Sequence, residues 1–304
     1  MCQCANGPPE KSQYNFVLSG QSELFSESET IFNLLYSSKI GTLAHRHIGT
    51  FCISLLLPPI YSTMVTLCLD FGNTRKKVAV FHGAELKEAI VLPDDSVATI
   101  QALIDRFRPD KSILSSVIDH NPEIEPLLGV HTKFHKLSHL TKVAFTTPVG
   151  KPETIGADRL ALTAAAIHYY PSYNNLVIGM GSCITYNFIN KYHEFVGGAI
   201  SPGLEMRLKS LNYYTAKLPL VKADSNVPLM GYDTNTNILS GVVLGMAKEM
   251  DGFIDAYKEK YRNINVLLTG GDIVYLASHL KNRIFADPDL IFKGLYATSE
   301  VNNP

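Results

Sequence analysis

The stretch LCLDFGNTRKKVAVFHG, residues 67–83, predicts two β-strands joined by a tight turn. The same pattern returns in LVIGMGSCITYNFINKY, residues 176–192: an apolar run, a turn with glycine, and a second β-type run. Alignment of the two segments pairs three positions of the hairpins: Gly72 with Gly181, Asn73 with Ser182, and Asp70 with Gly179. A repeat of this kind favours a duplicated domain, in which the second copy lacks the acid of the first.

Outside the two hairpins, strands and helices alternate along the chain. Strands are predicted at 65–70, 77–82, 85–92, 112–117, 132–137, 175–179, 183–190, 194–200 and 265–269. Helices are predicted at 96–107, 157–169, 203–213, 238–261 and 272–281. Hairpins followed by helices, twice over, predict an α/β fold with mixed sheets.

The composition excludes several classes of protein. The chain has 304 residues, of which 46% are hydrophobic and 18% charged, as in globular proteins. Its 27 Lys and Arg residues balance 28 Asp and Glu, so neither nucleic acid nor an anionic membrane surface is expected as the main partner. Five irregularly spaced cysteines favour a reducing cytoplasm over a disulfide framework.

The N-terminal part, residues 1–63, differs from the rest. Its first half is polar and aperiodic, as disordered segments are. The apolar window at 48–61 is shorter than the roughly 20 residues of a membrane-spanning helix and contains two prolines. The strand pattern begins at Met64, which favours 1–63 as upstream or disordered sequence, with a genuine extension as the alternative. We expect domains at 64–170 and 171–304.

The tip of the first hairpin carries groups suited to phosphate. Gly72 permits a tight turn and a close approach of backbone N–H groups to an anion. Asn73 and Thr74 can donate to phosphate oxygens, Lys77 adds a positive charge, and Asp70 is placed to hold Mg²⁺ through water. A plain hairpin turn also favours Gly and Asn, so the same residues are explained without any ligand.

Three later segments carry further candidate residues. ETIGADRLALTAAA, residues 153–166, predicts a helix with Asp158 and Arg159 in its first turn. There the two residues could act as a base and as a clamp for an anion, or the acid could simply complement the helix dipole. The Ser-Pro-Gly of 195–219 opens another helix, whose free N–H groups suit an anion. Gly270 and Gly271 follow a buried strand and suit the sugar or base of a nucleotide, although glycine is also a common turn residue.

Two tempting patterns are set aside. His131, His135 and His139 are spaced for one helical face, but the surrounding sequence predicts strand and loop without acidic or cysteine ligands, so a solvated face is favoured over a metal site. Cys183 has no basic partner in the nearby sequence, which favours a packing role over that of a nucleophile.

Taken in order, six segments resemble the type III pantothenate kinases. They are DFGNT, IGADR, GSCITYNF, GGAISPGL, TAKLP and LLTGGD, and the resemblance runs from about Met64 to Tyr296. The resemblance implies two ribonuclease-H-like domains of the actin and sugar-kinase type with ATP in the cleft between them. It also implies phosphorylation of pantothenate, the first step of coenzyme A biosynthesis, by a homodimer that requires Mg²⁺ and a monovalent cation, K⁺ or NH₄⁺.

The resemblance assigns roles residue by residue. It implies that Asp158 takes the proton from the primary hydroxyl of pantothenate and that Thr215 contacts pantothenate from the partner half of the site. The residues implied to bind pantothenate are Gly156, Ala157, Asp158 and Arg159. Those implied to bind the ATP phosphates are Asp70, Phe71, Gly72, Asn73, Thr74, Arg75, Lys76, Lys77 and Ser182, with Ser182 in place of the family's Thr.

This chain departs from the family pattern in three places. Gly179 stands where the family has the Asp that binds the monovalent cation, and Asn187 stands where an Asp follows Thr185. The aromatic residue that precedes GADR in the family has no clear match, Val149 or Phe145 being nearest. Loss of one electrostatic element from a preorganised site costs on the order of 10²–10³ in rate. We therefore expect a weakened kinase with a degraded cation site.

Three alternatives remain open at the level of sequence. The first is a catalytically inactive relative that binds pantothenate or nucleotide in a regulatory role, which the altered second hairpin favours and the intact Asp70 and Asp158 oppose. The second is a kinase for a sugar or a small acid on the same scaffold, opposed by GADR and TAKLP. A purely structural protein leaves both hairpins and the Gly-Gly turn unexplained.

Overall fold

The computed structural model describes residues 63–148 and 150–303. The expectations for residues 1–62 and for Val149 lie outside these ranges. Within them, the fold consists of two five-stranded mixed sheets that share a layer of two helices. None of the described helices is long and apolar enough to cross a membrane.

The first sheet is built around the strand that carries Asp70. Its strands are β1 (Val65–Phe71), β2 (Lys76–His82), β3 (Glu85–Leu92), β4 (Lys111–Ser116) and β5 (Lys133–Lys136). The order across the sheet is β3-β2-β1-β4-β5, with the first three strands antiparallel and β4 and β5 parallel to β1. Helices α1 (Val97–Phe107) and α2 (Ile124–His131) form the two crossover connections.

The second sheet repeats this topology. Its strands are β6 (Asn174–Met180), β7 (Cys183–Ile189), β8 (Phe195–Pro202), β9 (Ile264–Gly270) and β10 (Phe285–Ala286). Their order is β10-β9-β6-β7-β8. When this sheet is read from its other edge and its strands are numbered from β6 as the first, the order is 3-2-1-4-5, as in the first sheet. Strands β1 and β6 even share one burial pattern along their seven residues. The predicted duplication into two ribonuclease-H-like halves is therefore confirmed.

Two helices fill the space between the sheets. They are α3 (Ala157–Tyr169), which follows the first half, and α8 (Leu290–Asn302), which ends the described chain. Helix α3 packs on β4, β6 and β7, while α8 returns to β1, β2 and β4. One buried cluster joins inner residues of both sheets to both helices, among them Cys68, Val177 and Leu295.

The outer faces of the two sheets are covered separately. Helices α1 and α2 cover the first sheet over a cluster that includes Leu69 and Leu114. The second sheet is covered by α4 (Leu204–Tyr213), α5 (Thr234–Leu239), α6 (Gly245–Lys260) and α7 (Ile273–Leu276). A π-helical segment, Ser240–Leu244, links α5 to α6.

The predicted elements differ from the structure in four helices. Helix α2 was not predicted because Pro126 and Gly129 interrupt its pattern, although Pro126 lies in the first turn, where its missing N–H costs nothing. Helix α8 was not predicted either. The predicted helix 238–261 begins four residues earlier, at Thr234, and the predicted helix 272–281 is a short helix followed by a 3₁₀ turn.

The two central helices cross at small residues. A Cβ atom added to Gly294 of α8 would collide with the carbonyl oxygen of Ala161 in α3 and would lie 3.2 Å from the Cβ of Ala165. Only glycine therefore allows the backbones to approach this closely. The crossing sets the distance between the two sheets, because α3 packs on both sheets and α8 packs on the first.

Replacement of Gly294 by alanine tests this constraint. Gly294→Ala is expected to lower the free energy of unfolding by about 1–3 kcal/mol, the usual cost of overpacking. Gly252→Ala in α6 is the matched control, since nothing lies within 4 Å of the added Cβ, and is expected to stabilise by about 0.5–1 kcal/mol. Urea titration measures both, and equal effects of the two substitutions would contradict the role of the crossing.

Candidate active site at the tips of the two hairpins

The turns of the two hairpins meet at one edge of the sheets. The hydroxyl oxygens of Thr74, from the first hairpin, and Ser182, from the second, lie 2.6 Å apart. The structure thus brings together the two predicted phosphate-binding turns, although 108 positions separate these residues in the sequence. The second turn is shorter, because residues 181 and 182 alone join β6 to β7.

In the first hairpin, the strand register sorts the predicted residues onto two faces. Asp70 is paired with Lys77, and both lie on the inner face of the sheet, on which Cys68 also lies. Phe71 is fully buried in the outer cluster, and Lys76 forms an ion pair with Asp95 at 3.1 Å. Asp70 and Lys77 therefore face helix α3, whereas the side chains of Phe71 and Lys76 face away from it.

The turn itself is held by its backbone. The N–H of Gly72 donates to the carbonyl oxygen of Arg75 at 3.1 Å, and a Cβ at Gly72 would lie 3.3 Å from that oxygen. Asn73, Thr74 and Arg75 are exposed. Their polar groups are thus available to a ligand at the hairpin tip.

Two carboxylates converge from different elements. Asp70 is the next-to-last residue of β1, and Asp158 lies in the first turn of α3. Burial and the negative charge of Asp158 raise the pKa of Asp70 to about 7, against the opposing effect of Lys77. Burial also raises the pKa of Asp158, and the nearby Arg159 opposes this rise. Such a pair favours a cation or a shared proton between the two acids.

The start of α3 fixes the Asp158 carboxylate. Gly156 is the N-cap residue, and a Cβ there would lie 2.5 Å from the Asp158 Oδ1 atom. The carboxylate accepts from the backbone N–H groups of residues 158 and 159, and the N–H of Arg159 also donates to the carbonyl oxygen of Gly156 at 3.0 Å. Glycine at 156 thus makes room for the acid.

Arg159 is oriented by the second sheet. Its Nε donates to the Asn187 Oδ1 atom at 2.6 Å, and its Nη2 donates to the carbonyl oxygen of Tyr186 at 3.3 Å. Its guanidinium carbon lies 5.4 Å from the ring centroid of Phe195. Asn187 is a residue of the site whose role the sequence reasoning missed, because nothing local links it to an arginine 28 positions earlier.

The surroundings of Gly179 correspond to those of Asp70 in the first half. Gly179 is paired with Thr185 on β7, as Asp70 is paired with Lys77 on β2. A Cβ at position 179 would lie 2.8 Å from the Thr185 Oγ1 atom and 3.1 Å from the Leu162 Cδ1 atom. In this chain, the space of a side chain at 179 is therefore largely filled by its neighbours.

The Gly-Gly turn after β9 lies against the second hairpin. Gly270 has φ of +110°, and a Cβ there would collide with the backbone carbonyl of Met180. Gly271 lies near the guanidinium of Arg75. The sequence reasoning missed Asp272: burial raises the pKa of this acid, and its carboxylate accepts from the N–H of Leu204 at the start of α4.

A cavity of about 380 Å³ opens beside the hairpin tips. Thr74 and Ser182 form one wall, and helix α4 forms the other. The residues from α4 and the position after it are Glu205, Met206, Lys209, Ser210, Tyr213 and Tyr214. The predicted residue Thr215 follows them in an exposed loop, where its hydroxyl donates to the carbonyl oxygen of Leu211 at 2.7 Å. Thr215 and Asp158 form no hydrogen bond with each other in the described part of one chain.

The structure also places the histidines and the cysteine of the two patterns set aside above. His131 ends α2, His135 lies on β5, and His139 is in the loop beyond it, so the three do not share one helical face. His135 bonds to Thr141 at 2.9 Å. Cys183 opens β7 and is partly exposed. Within 63–148 and 150–303, no three His, Cys, Asp or Glu side chains converge to hold a metal ion.

Comparison with known proteins identifies close relatives. The sequence model of the type III pantothenate kinase family matches residues 66–256. The type III pantothenate kinase of Christiangramia forsetii is 40% identical over 240 residues, which are 78% of this chain and 99% of that protein. The type III pantothenate kinase of Flavobacterium johnsoniae is 39% identical over 235 residues, 76% of this chain and 96% of its own.

Among solved structures, a Campylobacter jejuni protein described as a Baf family transcriptional activator is similar with a TM-score of 0.52. The match covers 78% of this chain and 98% of that chain at 23% sequence identity. At this identity the similarity supports the fold alone.

The raised pKa of Asp70 predicts that this residue lowers the stability of the ligand-free protein in a pH-dependent way. A carboxyl with a folded-state pKa of about 7, above its unfolded value, stabilises the fold at low pH and loses this contribution as the pH rises through 7. Asp70→Asn is therefore expected to be more stable than the parent at pH 8. At pH 5, the gain in the free energy of unfolding of Asp70→Asn over the parent should be smaller than at pH 8 by on the order of 2–3 kcal/mol.

Thermal unfolding at both pH values measures this difference. Asp94→Asn is the control, because hydrogen bonds from Thr99 and Ser96 lower the pKa of this exposed acid to about 2. That substitution should destabilise the protein by the same amount at pH 5 and pH 8. An advantage of Asp70→Asn that does not change with pH would contradict the assignment.

Proposed function

The chain belongs to the type III pantothenate kinase family, and from this premise we propose that it transfers the γ-phosphoryl group of ATP to the primary hydroxyl of pantothenate in the cytoplasm. The observation that carries the proposal is the convergence of Asp70 and Asp158 beside hairpin tips whose hydroxyls lie 2.6 Å apart. The product is 4′-phosphopantothenate, the first intermediate on the way to coenzyme A.

The hairpin tips are the proposed site of the ATP phosphates. Thr74 and Ser182 supply hydroxyls from opposite halves of the molecule, and the turn at Gly72 supplies backbone N–H groups. Lys77 adds positive charge near Asp70. The turn at Gly270 and Gly271 is the proposed contact of the nucleoside, because backbone without side chains borders the second hairpin there.

Asp70 fits a divalent cation. Its carboxylate is buried next to a second acid, so a positive charge would relieve both burial and repulsion. With few protein ligands nearby, Mg²⁺ is expected to keep water and phosphate oxygens, as this ion prefers. When bound, it would neutralise charge on the phosphates during transfer.

Asp158 is the proposed general base. Its carboxylate is fixed by N–H groups of its own helix, and burial raises its pKa, which strengthens it as a proton acceptor. The hydroxyl of pantothenate then attacks the γ-phosphorus in line with the leaving oxygen of ADP. Positioning and charge neutralisation supply most of the catalysis in such transfers.

We propose that pantothenate binds along the start of α3 and that a second copy of the chain completes the site. Gly156 and Ala157 supply the backbone, while Arg159 supplies positive charge. Thr215 lies in an exposed loop, beside Tyr213 and Tyr214, which are 80% and 81% exposed. A homodimer that covers these tyrosines would place Thr215 of the partner against pantothenate.

The monovalent-cation site is proposed to be degraded. Gly179 offers no carboxylate, and Asn187 nearby is neutral. The hydroxyl of Thr185 also occupies the space next to Gly179. These features support turnover that is weaker than that of the relatives and independent of K⁺ or NH₄⁺.

The same features favour a second candidate function. A second hairpin without acids suits a protein that binds pantothenate or nucleotide without turnover. Retention of both Asp70 and Asp158 favours the kinase over this regulatory role.

Replacement of the proposed base tests the kinase directly. Asp158→Asn is expected to lower kcat at least about 10²-fold, since general base catalysis typically contributes 10²–10⁴, while ATP still raises the melting temperature. Asp105→Asn on the outer helix α1 is the control. ADP release with pantothenate, measured in a coupled assay, gives kcat, and full activity of Asp158→Asn would contradict the proposal.

The cation proposal has its own test. Parent turnover should be the same in K⁺, NH₄⁺ or a bulky organic cation, whereas Gly179→Asp should gain stimulation by K⁺. Gly179→Ala is the matched control, since it crowds Thr185 and Leu162 equally but adds no charge. Stimulation of the parent by K⁺ would refute the degraded site.

A further inference from the structure

Asn187 is a buried amide whose hydrogen-bonding groups meet both helix α3 and the second sheet. We propose that it is a positioning residue that aims Arg159 at the anionic end of the substrate while leaving the arginine's charge unneutralised. The inference rests on the proposed function, and it assigns a specificity role to a residue that does not itself touch the substrate.

The orientation of the amide is fixed by its neighbours. Its Oδ1 accepts from Arg159 Nε at 2.6 Å, and its Nδ2 donates to the carbonyl oxygen of Val177 and to Thr185 Oγ1, each at 3.2 Å. A flipped amide would set a donor against Arg159 and an acceptor against the Val177 carbonyl. Only one of the two orientations satisfies all three neighbours.

Asn187 and Tyr186 together hold one part of the guanidinium. Arginine has five N–H donors, and Nε and Nη2 each donate one to the second sheet, to Asn187 and to the carbonyl of Tyr186. The ring of Phe195 lies on the same side chain at 5.4 Å. The remaining donors, including both of Nη1, have no acceptor among the described residues and are available to an anion.

A neutral partner leaves the charge of Arg159 in place. The charged or titratable groups that act on it are Asp158, whose carboxylate is already bonded to backbone N–H groups, and Tyr257. The family pattern has an Asp here together with the Asp of the monovalent-cation site, and this chain has neither. Without that cation nearby, a carboxylate at position 187 would neutralise the guanidinium at 2.6 Å. It would also face the Val177 carbonyl without a proton to donate. An amide therefore gives orientation without loss of charge.

The test compares two substrates that differ only in charge: pantothenate and its uncharged N-alkyl amide, both with the same primary hydroxyl. The measured quantity is the ratio of kcat/KM for pantothenate to that for the amide. Asn187→Asp should lower this ratio roughly 10- to 100-fold, the worth of a hydrogen bond to a charged group, with little change for the amide. Asn187→Leu should lower this ratio as well, because Arg159 loses its alignment with the carboxylate that the amide lacks.

Asn175→Asp is the matched control. Asn175 is also a buried amide of the second sheet, and its Nδ2 donates to the carbonyls of Tyr170 and Tyr173, away from Arg159. It should cost stability and leave the ratio unchanged. A parent without preference for the carboxylate, or an unchanged ratio in Asn187→Asp, would overturn the inference.

Calorimetric titration separates this inference from the proposed function. If the parent binds pantothenate without turnover, the kinase proposal fails, and the ratio of dissociation constants tests Asn187 in the same variants. A parent that binds neither compound would overturn both.

Discussion

The close crossing of helices α3 and α8 is the constraint on which the rest of the structure depends. Gly294 lets α8 lie against the backbone of α3, so a single layer of two helices separates the sheets. Each sheet packs its inner face on this layer, and the central core contains residues from both. The first turn of α3 therefore lies within reach of Asp70 on one sheet and Asn187 on the other, which is how Asp158 and Arg159 come to the edge where the hairpins meet.

The duplicated fold contains two equivalent strands, β1 and β6, which carry different residues at the corresponding positions 70 and 179. Near the end of its strand, the first half has a buried acid, Asp70, whose pKa is raised to about 7; a bound cation can offset the cost of this burial. In the second half, Gly179, Thr185 and Asn187 form a neutral, hydrogen-bonded group that supports Arg159. We interpret the first hairpin as the site that binds metal and phosphate. We interpret the second as a support for Arg159, whose positive charge faces the anionic substrate.

The hairpins, their duplication and the start of α3 were predictable because each depends on local signals: glycine turns, alternating apolar residues and a helix start at GADR. Helices α2 and α8 were not, since Pro126, Gly129 and Gly294 interrupt patterns that only tertiary packing makes helical. The strand register shows that the side chains of Phe71 and Lys76 lie on the outer face of the first sheet. The link from Arg159 to Asn187 joins elements that only the folded chain brings together.

The most direct test of the central claim is ³¹P NMR of the purified full chain with ATP, Mg²⁺ and pantothenate. We expect loss of the γ-phosphorus signal of ATP together with a new phosphomonoester signal, split into a triplet by the two protons of the adjacent carbon, as transfer to the primary hydroxyl requires. ATP that stays intact, or release of inorganic phosphate alone, would contradict the assignment of this site as a pantothenate kinase.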